Sequence, residues 1–82
     1  MKFSQIIKAA MKETNRTQEM LGNDLGMKQN AVSNMLNRKE PSLATFREAM
    51  EVMGYEIVVQ KKTQGRRKEG QMVLTAEETK EE

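Results

Sequence analysis

Two short helical patterns meet at a glycine near the middle of this chain. Each pattern places apolar side chains at helical spacing: Met20, Leu21 and Leu25 before the glycine, and Ala31, Val32, Met35 and Leu36 after it. Gly26 lies between the two patterns, and glycine adopts the left-handed conformation at a helix C-terminus without strain from a Cβ atom. We therefore expect two short helices joined by a sharp turn, with Met27 packed into the core.

Further helices are predicted on both sides of this central unit. Apolar residues at helical spacing predict helix 1 over residues 3–13 and helix 4 over residues 43–53, and Gly54 ends the latter. Thr17 and Ser42 are the expected N-caps of helices 2 and 4, because a side-chain oxygen there accepts a hydrogen bond from a free backbone N–H. Helix 3 is expected over residues 28–36.

The chain after Gly54 has a different pattern. Residues 55–61 are rich in β-branched side chains and partly alternate, which predicts a strand. Residues 71–75 are a candidate for a second strand, so a single strand and a hairpin are both open. Residues 76–82 are too acidic and too poor in apolar side chains to pack, so we expect a disordered tail. The predicted division is a mainly α, compact domain over residues 1–54, a β segment over 55–75 and the tail over 76–82.

Composition excludes several classes of function. The 82 residues contain no cysteine and no histidine, so disulfides, thiolate metal sites and histidine-based catalysis are excluded. No enzyme activity, metal or cofactor is expected. The longest apolar runs are far below the roughly 20 residues that span a bilayer, so we expect no membrane partner and a soluble cytoplasmic protein. Glu48 and Glu51 are interpreted as surface charge rather than as a catalytic pair.

Charge is distributed unevenly along the chain. Residues 1–68 carry 13 Lys or Arg against 7 Asp or Glu, whereas residues 69–82 carry 1 against 5. A basic body suggests a polyanionic partner, and a generic solvated surface is the alternative that charge alone leaves open. Arg66, Arg67 and Lys68 are similarly open to two interpretations, a solvated hairpin tip or a basic arm on neighbouring phosphates.

Residues 17–36 contain a spaced motif: Thr17-Gln18-Glu19 at the start of helix 2, Gly22 at its middle, Leu25-Gly26 at the turn, and Val32-Ser33 in helix 3. In these residues the chain resembles the helix-turn-helix of the Cro and phage-repressor family, also called the Cro/C1-type or XRE family. Two helices crossing at a steep angle need a small residue at their closest approach, a tight turn and an apolar residue that locks the angle. The family usually has alanine in place of Gly22, and Asn37-Arg38-Lys39 also departs from its usual pattern. The resemblance implies a lambda-repressor-like four-helix fold that binds double-stranded DNA.

If helix 3 is the recognition helix, its polar face reads bases in the major groove. The expected base-reading residues are Lys28, Gln29, Asn30, Ser33 and Asn34, and the planar amides of Gln and Asn match the N6 and N7 atoms of adenine. The expected phosphate-binding residues are Gln18, Asn37, Arg38 and Lys39. Taken alone, a polar stripe on a helix is more often its solvated face. Its placement on the second helix of this motif favours DNA reading.

One such helix reads only about four or five base pairs, so the resemblance implies a homodimer on a palindromic operator, acting as a transcriptional repressor. The predicted dimerisation residues are Tyr55, Ile57, Val58 and Val59, because an unpaired strand invites a symmetric partner. The alternative is an antitoxin-like protein that represses its own operon and binds another protein through its C-terminal segment. The methionines at 11, 20, 35, 50 and 53 are interpreted as core residues rather than as a partner-binding groove.

Overall fold

Four α-helices follow one another in the computed structural model, which describes residues 1–61 and 69–74. They are α1 (Phe3–Thr14), α2 (Gln18–Leu25), α3 (Gln29–Asn37) and α4 (Leu43–Val52). All four predicted helices are confirmed, each within one residue of its expected ends.

Hydrogen bonds from side chains begin two of the helices. The Thr17 hydroxyl accepts from the backbone N–H of Met20 at 3.1 Å, and the Ser42 hydroxyl accepts from that of Thr45 at 3.2 Å. Each bond satisfies one of the N–H groups that the first turn of a helix leaves without an intrahelical partner. Both predicted N-caps are therefore confirmed.

The end of α2 sets the direction of the chain into α3. Gly26 has a φ of 69°, and the Met27 N–H donates back to the Gly22 carbonyl at 2.8 Å. The positive φ and this hydrogen bond form a left-handed C-cap, which reverses the chain sharply after a helix. The side chain of Met27 is half-buried against the core, as predicted. The turn between α2 and α3 is thus fixed by its own backbone bonds and by an apolar anchor.

The four helices enclose one apolar core. Its buried members come from every helix: Ile6, Ile7, Ala10, Met11, Leu21, Val32, Met35, Leu36, Phe46, Ala49, Met50 and Met53. Two further contacts tie α1 to later parts of the chain. The rings of Phe3 and Phe46 stack with centroids 4.5 Å apart, and the Ser4 hydroxyl donates to Glu40 Oε1 at 2.6 Å.

Met20 corrects one prediction about this core. The other four methionines predicted to fill it are buried, but Met20 is 43% exposed. Successive helix residues are about 100° apart, so Met20 lies on the side of Leu21 opposite Gly22 and Leu25. The buried side of α2 runs from Leu21 towards Gly22, and Met20 falls outside it.

The strands predicted after Gly54 are not observed within the single chain. Residues 55–61 and 69–74 contain no strand, and Thr75 lies outside the described residues, so a C-terminal strand or hairpin remains a prediction. Tyr55, Met72 and Leu74 instead lie half-buried against the helical core, and the Met1 ammonium donates to the Val73 carbonyl at 2.7 Å. A β-branched run becomes a strand only where another backbone supplies a ladder of hydrogen bonds, and no other described segment does so here.

Three earlier predictions concern residues outside the described ranges. They are the basic residues 66–68, the end of the second strand at Thr75, and the disordered tail over 76–82. The division of the chain at residue 54 remains a prediction.

Candidate nucleic-acid interface

The closest approach of α2 to the turn and α3 occurs at Gly22. A Cβ atom built on Gly22 would lie 2.7 Å from the Met27 carbonyl oxygen and 3.3 Å from Cγ2 of Val32. The first distance is shorter than side-chain atoms tolerate, and its partner is backbone. The predicted roles of Gly22 and Val32 at the helix crossing are therefore confirmed. In this chain the turn occupies the space that the alanine usual in the family would need.

Packing divides α3 into two faces. Val32, Met35 and Leu36 are buried, and they hold the helix against the rest of the core. The opposite face carries the predicted base-reading residues: Lys28, Gln29, Asn30 and Asn34 are exposed, and Ser33 is half-buried. Residues 29, 30, 33 and 34 follow the i, i+4 relation in two rows, so their side chains cover adjacent patches of one surface. The structure brings the five residues together at the first half of α3.

The predicted phosphate-binding residues lie at two places. Arg38 and Lys39 are exposed directly after α3, where both of their N–H groups donate to the Asn34 carbonyl at 2.9 and 3.0 Å. Asn37 is exposed as well, but its amide nitrogen already donates to the Ser33 carbonyl at 3.1 Å, which leaves one amide hydrogen for a ligand. Gln18 is half-buried at the first residue of α2.

The charges on this surface are concentrated at the end of α3. Within residues 1–61 and 69–74, Lys28, Arg38 and Lys39 form no ion pair. Lys28 lines a shallow surface depression together with Glu19 of α2, whose carboxylate lies in the first turn of that helix. Arg38 and Lys39 do not line that depression. The strongest attraction for a polyanion is therefore expected beside Arg38 and Lys39.

Comparison with protein families agrees with this geometry. A family model described as helix-turn-helix matches residues 7–60, which is more than half of the chain. The chain belongs to this Cro/C1-type helix-turn-helix family. The family is one of DNA-binding transcription regulators. Comparison with curated proteins and with solved structures gives no match.

Two further properties of the helix-turn-helix protein bear on its partners. No helix in the described ranges combines the length and the hydropathy needed to cross a bilayer. Across the same residues, no group of three or more acidic side chains is arranged to hold a metal ion.

The sequence pattern did not identify Arg16 as a residue of interest. Its guanidinium lies 3.1 Å from the Asp24 carboxylate on α2 and donates to the Val52 carbonyl on α4 at 2.9 Å. In the sequence, Arg16 only interrupts the helical pattern between α1 and α2. An arginine in a short connection is usually a solvated charge, so nothing in the local sequence distinguishes it.

Proposed function

We propose that this helix-turn-helix protein is a sequence-specific transcriptional repressor that binds a palindromic DNA operator as a homodimer. The observation that carries the proposal is the exposed, uncharged and hydrogen-bonding face of α3, on the second helix of the family motif. The buried face of the same helix fixes its orientation, so these side chains project from a rigid support.

Base reading is assigned to the first half of α3. The amides of Gln29 and Asn30 each carry a donor and an acceptor in one plane, which suits the major-groove edge of adenine. Asn34 and Ser33 extend the same surface one helical turn further. Lys28 directly precedes the helix, and its long side chain ends in an ammonium group that can donate to a guanine or a phosphate. A site built mainly from amides favours operators that contain adenine at the contacted positions.

Phosphate binding is assigned to Arg38 and Lys39, supported by Asn37 and Gln18. Both cations are exposed and have no anionic partner within the described ranges. Contacts of this kind fix the register of a protein on DNA and make the affinity fall as salt concentration rises. Gln18 and Asn37 contribute hydrogen bonds without charge, so they affect register more than salt dependence.

Dimerisation is assigned to the segment that follows α4. Ile57, Val58 and Val59 are 44%, 65% and 96% exposed, and Tyr55 anchors the start of the segment on the core. Three adjacent β-branched side chains in water favour association with an apolar or strand-forming partner. A symmetric second copy gives the segment the backbone ladder that it lacks within one chain. A bound dimer would then repress by covering DNA that RNA polymerase needs.

Selection of bound sequences from a random DNA pool at two salt concentrations tests the DNA-binding part of the proposal. We expect the intact protein to enrich a palindromic site, with binding that weakens steeply as salt rises. In Gln29→Ala/Asn30→Ala, defined positions of that site should lose their base preference. Gln5→Ala removes an exposed amide on α1, outside the residues assigned to DNA binding and to dimerisation, and serves as the matched control. Failure to enrich any motif, with all three proteins alike, would contradict base reading by α3.

Sedimentation of the full chain tests the dimer separately. The intact protein is expected at twice the 9.4 kDa of one chain, and Val58→Lys/Val59→Lys at the monomer mass. Leu43→Lys is the control, because Leu43 is also apolar and is 60% exposed but lies on α4. An intact protein that sediments as a monomer at all concentrations would contradict the homodimer. The antitoxin-like alternative, in which the C-terminal segment after Lys62 binds another protein, would then become the leading proposal.

A further inference from the structure

Arg16 joins the DNA-reading unit to the end of the last helix. Its Nη1 lies 3.1 Å from Oδ2 of Asp24, which is on α2 two residues before the turn. Its Nη2 donates to the carbonyl of Val52, the last residue of α4, at 2.9 Å. The arginine itself is held in place, because its backbone N–H donates to the Met11 carbonyl at 2.9 Å at the end of α1. A single guanidinium therefore contacts both α2 and α4.

The bond to Val52 satisfies a group that α4 cannot satisfy itself. The last carbonyls of a helix have no intrahelical donor and carry partial negative charge. At the end of α4, the Met50 and Glu51 carbonyls accept from the following backbone N–H groups. Val52 accepts instead from Arg16, and the last turn of α4 contains no basic residue of its own. Arg16 thus supplies the positive charge for this helix end from another part of the chain.

The position of this helix end matters because the exposed segment follows it directly. Only Met53 and Gly54 separate Val52 from Tyr55, and Gly54 has a φ of 87°, which reverses the chain there. A small rotation of the last turn of α4 would therefore displace Ile57 to Val59 relative to α3. In a symmetric dimer, that displacement is doubled in the distance between the two recognition helices.

We propose that Arg16 is a positioning residue that sets the separation of the two DNA half-sites that the dimer accepts. This inference rests on the proposed function, because it needs DNA reading by α3 and association through Ile57 to Val59. Removing the guanidinium should leave α3 able to read one half-site. It should let the angle between α3 and Ile57 to Val59 vary. The protein should then bind operators whose half-site spacing is close to the best one with nearly the same affinity.

The test measures affinity for the selected operator, for versions with the spacer one base pair longer or shorter, and for a single half-site. One added base pair moves a half-site by about 3.4 Å and rotates it by roughly 34°, since B-DNA has about 10.5 base pairs per turn. We expect the intact protein to prefer the best spacing by about tenfold or more, which corresponds to ~1.4 kcal/mol. In Arg16→Met, which keeps the apolar stem, the preference should fall to about twofold.

Two further variants sharpen the test. Asp24→Asn removes the ion pair and leaves the bond to Val52, so it should retain most of the spacing preference. Arg16→Lys keeps the charge but has one nitrogen instead of the two that contact Asp24 and Val52. It replaces Arg16→Met in the test if the methionine variant does not fold. Half-site affinity should stay within about twofold of the intact protein in every folded Arg16 variant.

The outcomes separate the inference from the function on which it rests. A flattened spacing preference with unchanged half-site binding supports the positioning role. A variant that binds every spacing more weakly by the same factor, or that keeps the full preference, overturns it. If the intact protein itself shows no palindrome and no spacing preference, the proposed function has failed, and that result comes from the intact protein alone.

Discussion

The four-helix body and residues 55–61, the segment after Gly54, both carry apolar side chains but place them differently. In the body, side chains such as Ile7, Leu21 and Val32 are completely buried. Within residues 55–61, Val58 and Val59 are mostly in water, and only Tyr55 packs against the core. The helices of the body satisfy most of their backbone locally and share one core, whereas residues 55–61 have the composition of a strand without a partner strand in the described chain.

This difference follows from the range of the interactions that each structure needs. A helix satisfies its backbone within four residues, and its ends need only a cap or a left-handed residue nearby. A strand needs a second backbone that is distant in sequence or in another chain. The fold of the body is therefore specified by local sequence. The conformation of the segment depends on whether a partner strand is present. The proposed division of labour is that the body reads DNA and the segment assembles the dimer.

The largest expected effect is a difference in stability between side-chain truncations in the two regions. Leu21→Ala removes a fully buried side chain and should lower the free energy of unfolding by about 2–5 kcal/mol. Val59→Ala truncates a side chain that is 96% exposed and should change it by less than about 0.5 kcal/mol. Urea unfolding at a protein concentration where the chain is monomeric measures both. Equal losses at the two positions would mean that the segment belongs to the folding unit of the body.

A smaller effect is expected where α2 meets the turn. Helix propensity favours alanine over glycine by about 0.5–1 kcal/mol, so propensity alone predicts that Gly22→Ala stabilises the protein. We expect the reverse, a loss of about 1–2 kcal/mol, because the new Cβ would lie 2.7 Å from the Met27 carbonyl oxygen. Asn23→Ala, at the exposed neighbouring position, should be neutral or slightly stabilising. A more stable Gly22→Ala protein would show that the turn has room to relax.

The smallest effect concerns a single hydrogen bond at the start of α2. Thr17→Ala removes the oxygen that accepts from the Met20 N–H and should cost about 1 kcal/mol of unfolding free energy. Thr17→Ser keeps that oxygen and should cost less than about 0.5 kcal/mol. Thermal unfolding measures both, and amide exchange at Met20 locates the change. If serine were as harmful as alanine, the methyl group rather than the hydrogen bond would be the stabilising feature.

Much of the fold follows from local sequence signals. Thr17 and Ser42 mark helix starts, Gly26 marks the turn, and the apolar spacing gives each helix within one residue of its observed ends. The polar face of α3 was also predictable, since the buried and exposed residues of an amphipathic helix alternate with a fixed period. The exposure of Met20 was not predicted, because Met20 is next to the buried Leu21 in sequence but lies outside the buried face of α2.

The features that could not be predicted from the sequence are those that depend on contacts between residues distant along the chain. Arg16 bridges Asp24 and Val52, and Glu40 binds Ser4, but neither pair has a sequence spacing that distinguishes it from chance. The strand predicted over residues 55–61 is not formed within the single chain, for a related reason. Its β-branched residues record a preference for an extended backbone, and they say nothing about whether a partner strand is present.

The central claim, that α3 reads bases, is tested most directly by pairing a side-chain change with a base change. Affinities of the intact protein and of Asn30→Ala are measured on the selected operator and on the operator altered at the position that loses preference. We predict a loss of about 1–3 kcal/mol for Asn30→Ala on the selected operator and almost none on the altered one. Lys39→Ala should weaken both operators equally and reduce the salt dependence by about one counterion. An Asn30→Ala loss that is the same on both operators would contradict base reading by this helix.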